Sequence, residues 1–178
     1  RLGTLESGNE IVAVVSKPVH APFAPMAEGE LVIALDGIAD PGNLGTVLRI
    51  ADWFGVRRVL CSPDCVDEFN PKCVQASMGG ILRVAVYRDD LVRKLPELRS
   101  TGSTIYLASM EGVSVFDVRL RTPAVLVMGS ESHGVSKAIR DLDSELISVP
   151  RLGGAESLNV AMATSALCME FTRQRLAR

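Results

Sequence analysis

Residues 31–61 read LVIALDGIADPGNLGTVLRIADWFGVRRVLC, and this stretch decides the fold. Leu31 to Leu35 is a continuous apolar run of strand length that stops at Asp36. Leu44, Val47, Leu48, Ala51 and Phe54 then recur at helical spacing, and Gly55 ends the helix. Val56 to Cys61 supplies a second strand. Strands that are apolar throughout, rather than alternating, are buried on both faces, and helices between them make the sheet parallel. Between the first strand and the helix, Pro41 and Gly42 force a turn, and Asn43 is placed to cap the helix.

The same alternation continues outward. Pro71 to Ser77 reads as a short helix, Leu82 to Tyr87 as a strand and Asp89 to Arg99 as an amphipathic helix. Thr104 to Ala108, Ala124 to Met128 and Glu145 to Val149 are three further strands, with a helix around Ser136 to Leu142 between the last two. A long helix runs from about Ser157 to Arg175. Upstream, Ile11 to Ser16 reads as a short strand, and Lys17 to Glu28, with three prolines, as a connecting segment. The expected fold is α/β, a parallel sheet with helices on both faces.

At 178 residues and 47% hydrophobic content the chain can bury one substantial core. Its apolar runs fall far short of the ~20 residues that cross a bilayer, so no membrane partner is expected. The start lacks the basic and apolar regions of a signal peptide. It also lacks a Met, and residues 1–28, a strand and connecting segment, are expected to be the end of a preceding N-terminal domain, with the main domain over 29–178. Cys61, Cys65, Cys73 and Cys168 show no zinc spacing and read as reduced core thiols in a cytoplasmic protein. The net charge of −2 announces no nucleic-acid partner. A local patch remains open among Arg49, Arg57, Arg58, Lys72, Arg83, Arg88, Arg93, Lys94 and Arg99.

Ligands of open parallel sheets bind beyond the carboxyl ends of the strands. Three segments there carry unusual glycine and polar content. The first is residues 36–45, DGIADPGNLG, leading into the helix that carries Arg49. By itself it is a capped helix with a solvated arginine. The second, residues 127–134, VMGSESHG, brackets Glu131 with glycines, so a ligand can approach bare backbone. It matches neither a Walker A loop nor a GxGxxG loop, and His133 reads as a surface histidine. The third, residues 149–159, VPRLGGAESLN, opens the terminal helix, with Ser157 as the expected cap and Asn159 in its first turn.

Together these segments resemble the three ordered motifs of the SpoU/TrmH methyltransferases, in the SPOUT superfamily: LDGIADPGNLGTVLRIADWFG, LVMGSESHGVS and VPRLGGAESLNVAMATSA. A fourth stretch, NPKCVQASMGGILRVAV, is similar to the family's Ser-Met-Gly segment. The likeness spans about residues 30–175. It implies a C-terminal deep trefoil knot, which general rules of chain topology disfavour. It also implies S-adenosylmethionine as cofactor, held by Gly129, Val149 and Leu158 with Ala108 and Ser109. The family's remaining functional positions map onto Asn43, Arg49, Glu131, Ser157 and Asn159. Arg151 and Gln75 depart from the family pattern.

What the resemblance implies is methyl transfer from S-adenosylmethionine to a ribose 2′-hydroxyl of RNA. Ribosomal RNA is the first choice and transfer RNA the second, and the resemblance implies that residues 1–28 end an N-terminal RNA-binding domain and that 29–178 are the catalytic domain. The sulfonium is already an activated leaving group, so the chemistry calls for no metal. Arg49 stands at the hydroxyl, either as general base or as a charged stabiliser of the forming alkoxide. Asn43 and Glu131 would orient Arg49 or the ribose, and Ser157 and Asn159 would fix the third loop. The terminal helix is apolar on more than one face and is expected to meet a second copy of the chain as well as the sheet. Two other classes stand beside this one: a cofactor- or RNA-binding module without activity, and a SPOUT enzyme that methylates a base nitrogen.

Overall fold

The computed structural model describes residues 14–131 and 133–177. Six strands, β1 (Leu31–Asp36), β2 (Arg58–Cys61), β3 (Ala85–Arg88), β4 (Thr104–Ser114), β5 (Ala124–Gly129) and β6 (Glu145–Ser148), pair in the order β3-β2-β1-β5-β4-β6. Every pairing is parallel. Five helices lie between and after them: α1 (Pro41–Trp53), α2 (Pro71–Ser77), α3 (Leu91–Ser100), α4 (Lys137–Arg140) and α5 (Val160–Leu176).

Alternate residues of the central strands feed two separate cores. Ile33 and Leu35 pack with Leu44, Val47 and Leu48 of α1 and with Leu167 and Phe171 of α5. Val32 and Ala34 pack with Leu91, Leu95 and Leu98 of α3 and Ile139 of α4. The period-two alternation of a strand therefore builds a core on each face of the sheet. All four cysteines are buried and free; burial alone pushes the Cys168 thiol up to about 12. Among the described residues no helix is long and apolar enough to cross a membrane.

The chain leaves β1 toward β2 and β3 on one side and later returns to place β5 on the other. Asp36 and Gly129, the last residues of β1 and β5, are register partners. The loops after them rise side by side at the point where strand order reverses, where open α/β sheets bind ligands.

Several boundaries differ from the sequence reading. The strand expected over Ile11 to Ser16 falls, for residues 11–13, outside the described residues, and Val14 and Val15 are exposed and in no strand. The strand expected over Leu82 to Tyr87 begins only at Ala85. Left-handed Met78 and Gly79 lead instead into a 3-10 turn, Gly80–Leu82, which leaves Leu82 exposed. β4 runs on to Ser114 with an irregular register opposite β6.

Arg58 ties the connecting segment to the sheet. Its Nε and Nη2 each donate to the Glu30 carboxylate at 2.6 Å, and its Nη1 donates to the Ala24 carbonyl at 2.6 Å. Its guanidinium also lies 4.2 Å from the centre of the Phe23 ring. Burial works against the Glu30 carboxylate, but hydrogen bonds from Arg58 and the Ala27 amide outweigh it and hold Glu30 below its ordinary pKa. A lowered carboxylate stabilises above its unfolded pKa, and that contribution is lost as pH falls through the folded value. Arg58→Ala is expected to cost about 2–3 kcal/mol at neutral pH, the range for hydrogen bonds to charged groups. Urea unfolding checks this. The gap between the two proteins should narrow as pH falls below the unfolded carboxylate range and through the lowered folded value of Glu30.

Candidate active site

The first loop places Asn43. Asp40, not Asn43, caps α1: its Oδ1 accepts the Asn43 amide at 2.9 Å, with Pro41 as the first helical residue. The Lys72 ammonium, 3.0 Å from Oδ2, acts first and the Asn43 amide second in holding Asp40 below the usual carboxylate range. Relieved of capping, the Asn43 carboxamide reaches across to the second loop and donates to Glu131 Oε1 at 3.0 Å.

The second loop is a tight reversal. Ser130 and Gly134 exchange backbone hydrogen bonds at 3.0 and 2.8 Å, and Glu131 sits at the tip. Gly129 lies against the returning chain so closely that a Cβ would fall 2.0 Å from the Gly134 carbonyl carbon. Asp36, buried at the end of β1, accepts the Ser136 amide at 2.7 Å and binds the second loop to the first.

The third loop ends in Asn159. Asn159, not Ser157, caps α5: Oδ1 accepts the amides of Ala161 at 2.9 Å and Met162 at 3.4 Å. Its Nδ2 must then donate, and it does so to Glu131 Oε1 at 2.5 Å and Asn43 Oδ1 at 3.0 Å. Residues 88 and 116 positions apart in sequence thus close one network in which every amide orientation is fixed by its partners.

Behind Glu131 lies a cavity of about 480 Å³. Ala108, Ser109, Gly129, Val149 and Leu158 all line it, as do Glu131 and Ser157. Met128, Ile147, Val160 and Leu167 add apolar wall that the sequence reading did not name. Their signal was present: each belongs to an apolar strand or helix flanking a motif. Asn43 lines an adjoining cavity. Arg49 lines neither. It lies six residues beyond Asn43, about 240° around the helix, is exposed, and makes no hydrogen bond or ion pair among the described residues. The structure therefore brings Asn43, Glu131 and Asn159 together, places Ser157 nearby, and leaves Arg49 apart.

The sequence pattern of the SpoU rRNA Methylase family matches residues 30–169. The chain belongs to this family. It is 31% identical, over 96% of its length, to the 23S rRNA (uridine(2479)-2′-O)-methyltransferase of Streptomyces viridochromogenes, of which it covers 62%. It is 32% identical, over 91% of its length, to the 23S rRNA (guanosine(2553)-2′-O)-methyltransferase RlmP of Bacillus subtilis, of which it covers 64%. The crystal structure of the SpoU methyltransferase AviRb from Streptomyces viridochromogenes, in complex with the cofactor AdoMet, superposes with a TM-score of 0.79 at 30% identity, covering 86% of this chain and 60% of that one. The chain thus spans about three-fifths of the length of these family members.

Of the nine cations considered as a nucleic-acid patch, seven are neutralised within the protein. Arg58 pairs with Glu30, Lys72 with Asp40, Arg83 with Asp52, Arg88 with Glu68, Arg93 with Asp89 and Glu97, Lys94 with Glu97, and Arg99 with Asp143. Arg49 and Arg57 carry no ion pair among the described residues.

Proposed function

We propose that this chain transfers a methyl group from S-adenosylmethionine to a ribose 2′-hydroxyl of structured RNA, ribosomal RNA first and transfer RNA second. One observation carries the reading: the Asn43–Glu131–Asn159 network fixes Glu131 in the wall of a cavity that Gly129 also lines. Family membership and the names of the relatives support it. The cavity suits an adenosine-sized ligand: apolar walls for the base, a wall of bare backbone at Gly129, and a volume in the usual range for small-molecule sites. S-Adenosylmethionine held there supplies a methyl group on a sulfonium, a leaving group that needs no further activation.

The protein's part is alignment and charge. Glu131 Oε1 is occupied by two amide donors, which fixes the carboxylate and leaves Oε2 to take a ribose hydroxyl. Asn43 and Asn159 hold that geometry from α1 and α5, and Ser157 lines the cavity beside them. As the hydroxyl proton passes to Glu131 Oε2 and the methyl moves from sulfur to oxygen, the Arg49 guanidinium steadies the negative charge developing on that oxygen.

Within one protomer Arg49 is not in the cavity wall, so the reading includes a homodimer in which it is delivered by the partner. The exposed face of α5 supports this: Met162, Ala166 and Met169 form a stripe at helical spacing, with Met162 63% and Met169 57% exposed. Replacing both methionines by glutamate is expected to give a monomer in sedimentation at micromolar concentration and to lower transfer at least about 100-fold, the scale of losing a transition-state contact. An unchanged dimer would count against α5 as the interface. The reading also includes the deep trefoil knot of the C-terminal part, residues 29–178 as the catalytic domain, and a cytoplasmic setting.

Alkaline hydrolysis tests the activity. After incubation with methyl-labelled S-adenosylmethionine and unmodified ribosomal RNA transcript, the label should appear in alkali-resistant dinucleotides. Label in mononucleotides would indicate base methylation instead. Cofactor binding with no transfer to ribosomal or transfer RNA would fit a binding module.

A further inference from the structure

A second cavity, of about 580 Å³, opens beside the first at the carboxyl ends of β1 and β5. Ser130, Glu131, Gly134 and Val160 line both, so one loop and one helix end separate them. Methyl transfer requires the reacting atoms about 3–3.5 Å apart, so the two ligands must meet where the cavities share their lining. That shared lining contains Glu131, the hub of the polar network. We infer that the second cavity receives the acceptor nucleoside, turned out of its helix, and that Asp64 reads its base as guanine. This rests on the methyl-transfer reading above.

The lining states what enters. Among the described residues it holds the carboxylates of Asp36, Asp40, Asp64 and Glu131 and no lysine or arginine. A phosphate is repelled and stays outside, whereas a neutral base bearing N–H donors is drawn in. Most of these carboxylates are already engaged. Asp36 Oδ2 accepts the Ser136 amide, both Asp40 oxygens are used by Asn43 and Lys72, and Glu131 Oε1 takes two amides.

Asp64, in the loop after β2, differs. Among the described residues it accepts one hydrogen bond, from the Ser62 hydroxyl to Oδ1, and enters no ion pair. Ser62 is itself buried and accepts the Gly37 amide at 2.9 Å. Asp64 is thereby propped at the rim, with Oδ2 beside Gly37, where a Cβ would come within 3.2 Å. A carboxylate offers two acceptors side by side. Guanine alone presents two adjacent donors, N1–H and the 2-amino group, on its pairing edge. Adenine and cytosine put an acceptor beside the amino group, and uracil flanks its single N–H with carbonyls that a carboxylate repels. The relatives' names divide between guanosine and uridine, so family membership leaves the base open.

The test uses the full chain, S-adenosylmethionine and unmodified ribosomal and transfer RNA transcripts, with products digested to nucleosides. The wild type should yield 2′-O-methylguanosine. Asp64→Asn should lower kcat/KM about 10–100-fold, as expected for a hydrogen bond to a charged group. Its affinity for S-adenosylhomocysteine should not change, because Asp64 does not line the first cavity. Inosine in place of the target guanosine should slow the wild type similarly and slow Asp64→Asn little further. Ser62→Ala, which removes the prop, should give a smaller loss. Methylation of another nucleoside, or full activity of Asp64→Asn, overturns this inference alone. Absence of transfer by the wild type to either RNA overturns the methyl-transfer reading and this inference with it.

Discussion

Arg49→Ala is expected to lower single-turnover methyl transfer by about 10²–10³-fold, the usual effect of removing one donor aimed at developing negative charge. S-Adenosylmethionine affinity should stay within about twofold, because Arg49 does not line the cavity that would hold it. The helix should not notice the change: the side chain is exposed and makes no hydrogen bond or ion pair among the described residues. A cation left unpaired, in a chain where Arg58, Arg83, Arg88, Arg93 and Arg99 all find carboxylates, is available to a ligand from outside the protomer. Arg49→Lys keeps the charge but loses the planar fork, so it should recover only part of the rate. Rapid-quench kinetics with a saturating RNA transcript measures both. A near-normal rate for Arg49→Ala would remove Arg49 from the chemistry.

Gly129→Ala should be the most damaging single methyl group in the molecule's second loop. The added carbon would lie 2.0 Å from the Gly134 carbonyl carbon, 2.1 Å from the Val135 nitrogen and 2.2 Å from the Gly134 oxygen. All three are backbone atoms, so no side-chain rotation relieves the overlap. The Ser130–Gly134 reversal has to open instead, carrying Glu131 away from Asn43 and Asn159. Overpacking commonly costs about 1–3 kcal/mol, and an overlap this deep belongs at or above the top of that range. A fall in Tm of about 6–12 °C is expected for a domain of this size. Cofactor affinity should drop about 100-fold or more, since a displacement near 1 Å is enough to spoil such a site. Thermal unfolding and equilibrium dialysis read the two effects. A variant with wild-type melting and binding would show that the loop relaxes at no cost.

The central strands were the most legible part of the sequence. Leu31 to Leu35 and Ala124 to Met128 are apolar without interruption because both faces of the sheet are covered, and that pattern has few other causes. The helix caps were misread, for a local reason. Asp40 and Asn43 are both good caps, as are Ser157 and Asn159, and residue type does not choose between them. Pro41 does choose in the first case, because proline at the first helical position puts the cap immediately before it. No comparable marker separates Ser157 from Asn159. The extension of β4 carries little sequence signal, because residues 109–114 are half-buried or exposed and lack the continuous apolar run that marks its start.

The convergence at the site was legible only through the resemblance. Asn43, Glu131 and Asn159 meet because β1 and β5 are neighbours and α5 starts above them, and strand order is not written in local periodicity. The separation of Arg49 from that cluster follows from helical geometry once the start of α1 is fixed. Asp64 gave no signal, since a lone aspartate after a strand is indistinguishable from a turn residue.

The most direct test of ribose methylation follows a heavy methyl group. Unmodified ribosomal RNA transcript is incubated with the protein and S-adenosylmethionine carrying a deuterated methyl, then digested to nucleosides and fragmented in the mass spectrometer. The account predicts that the deuterated methyl stays with the sugar fragment and leaves the base unlabelled. A label on the base fragment would contradict it.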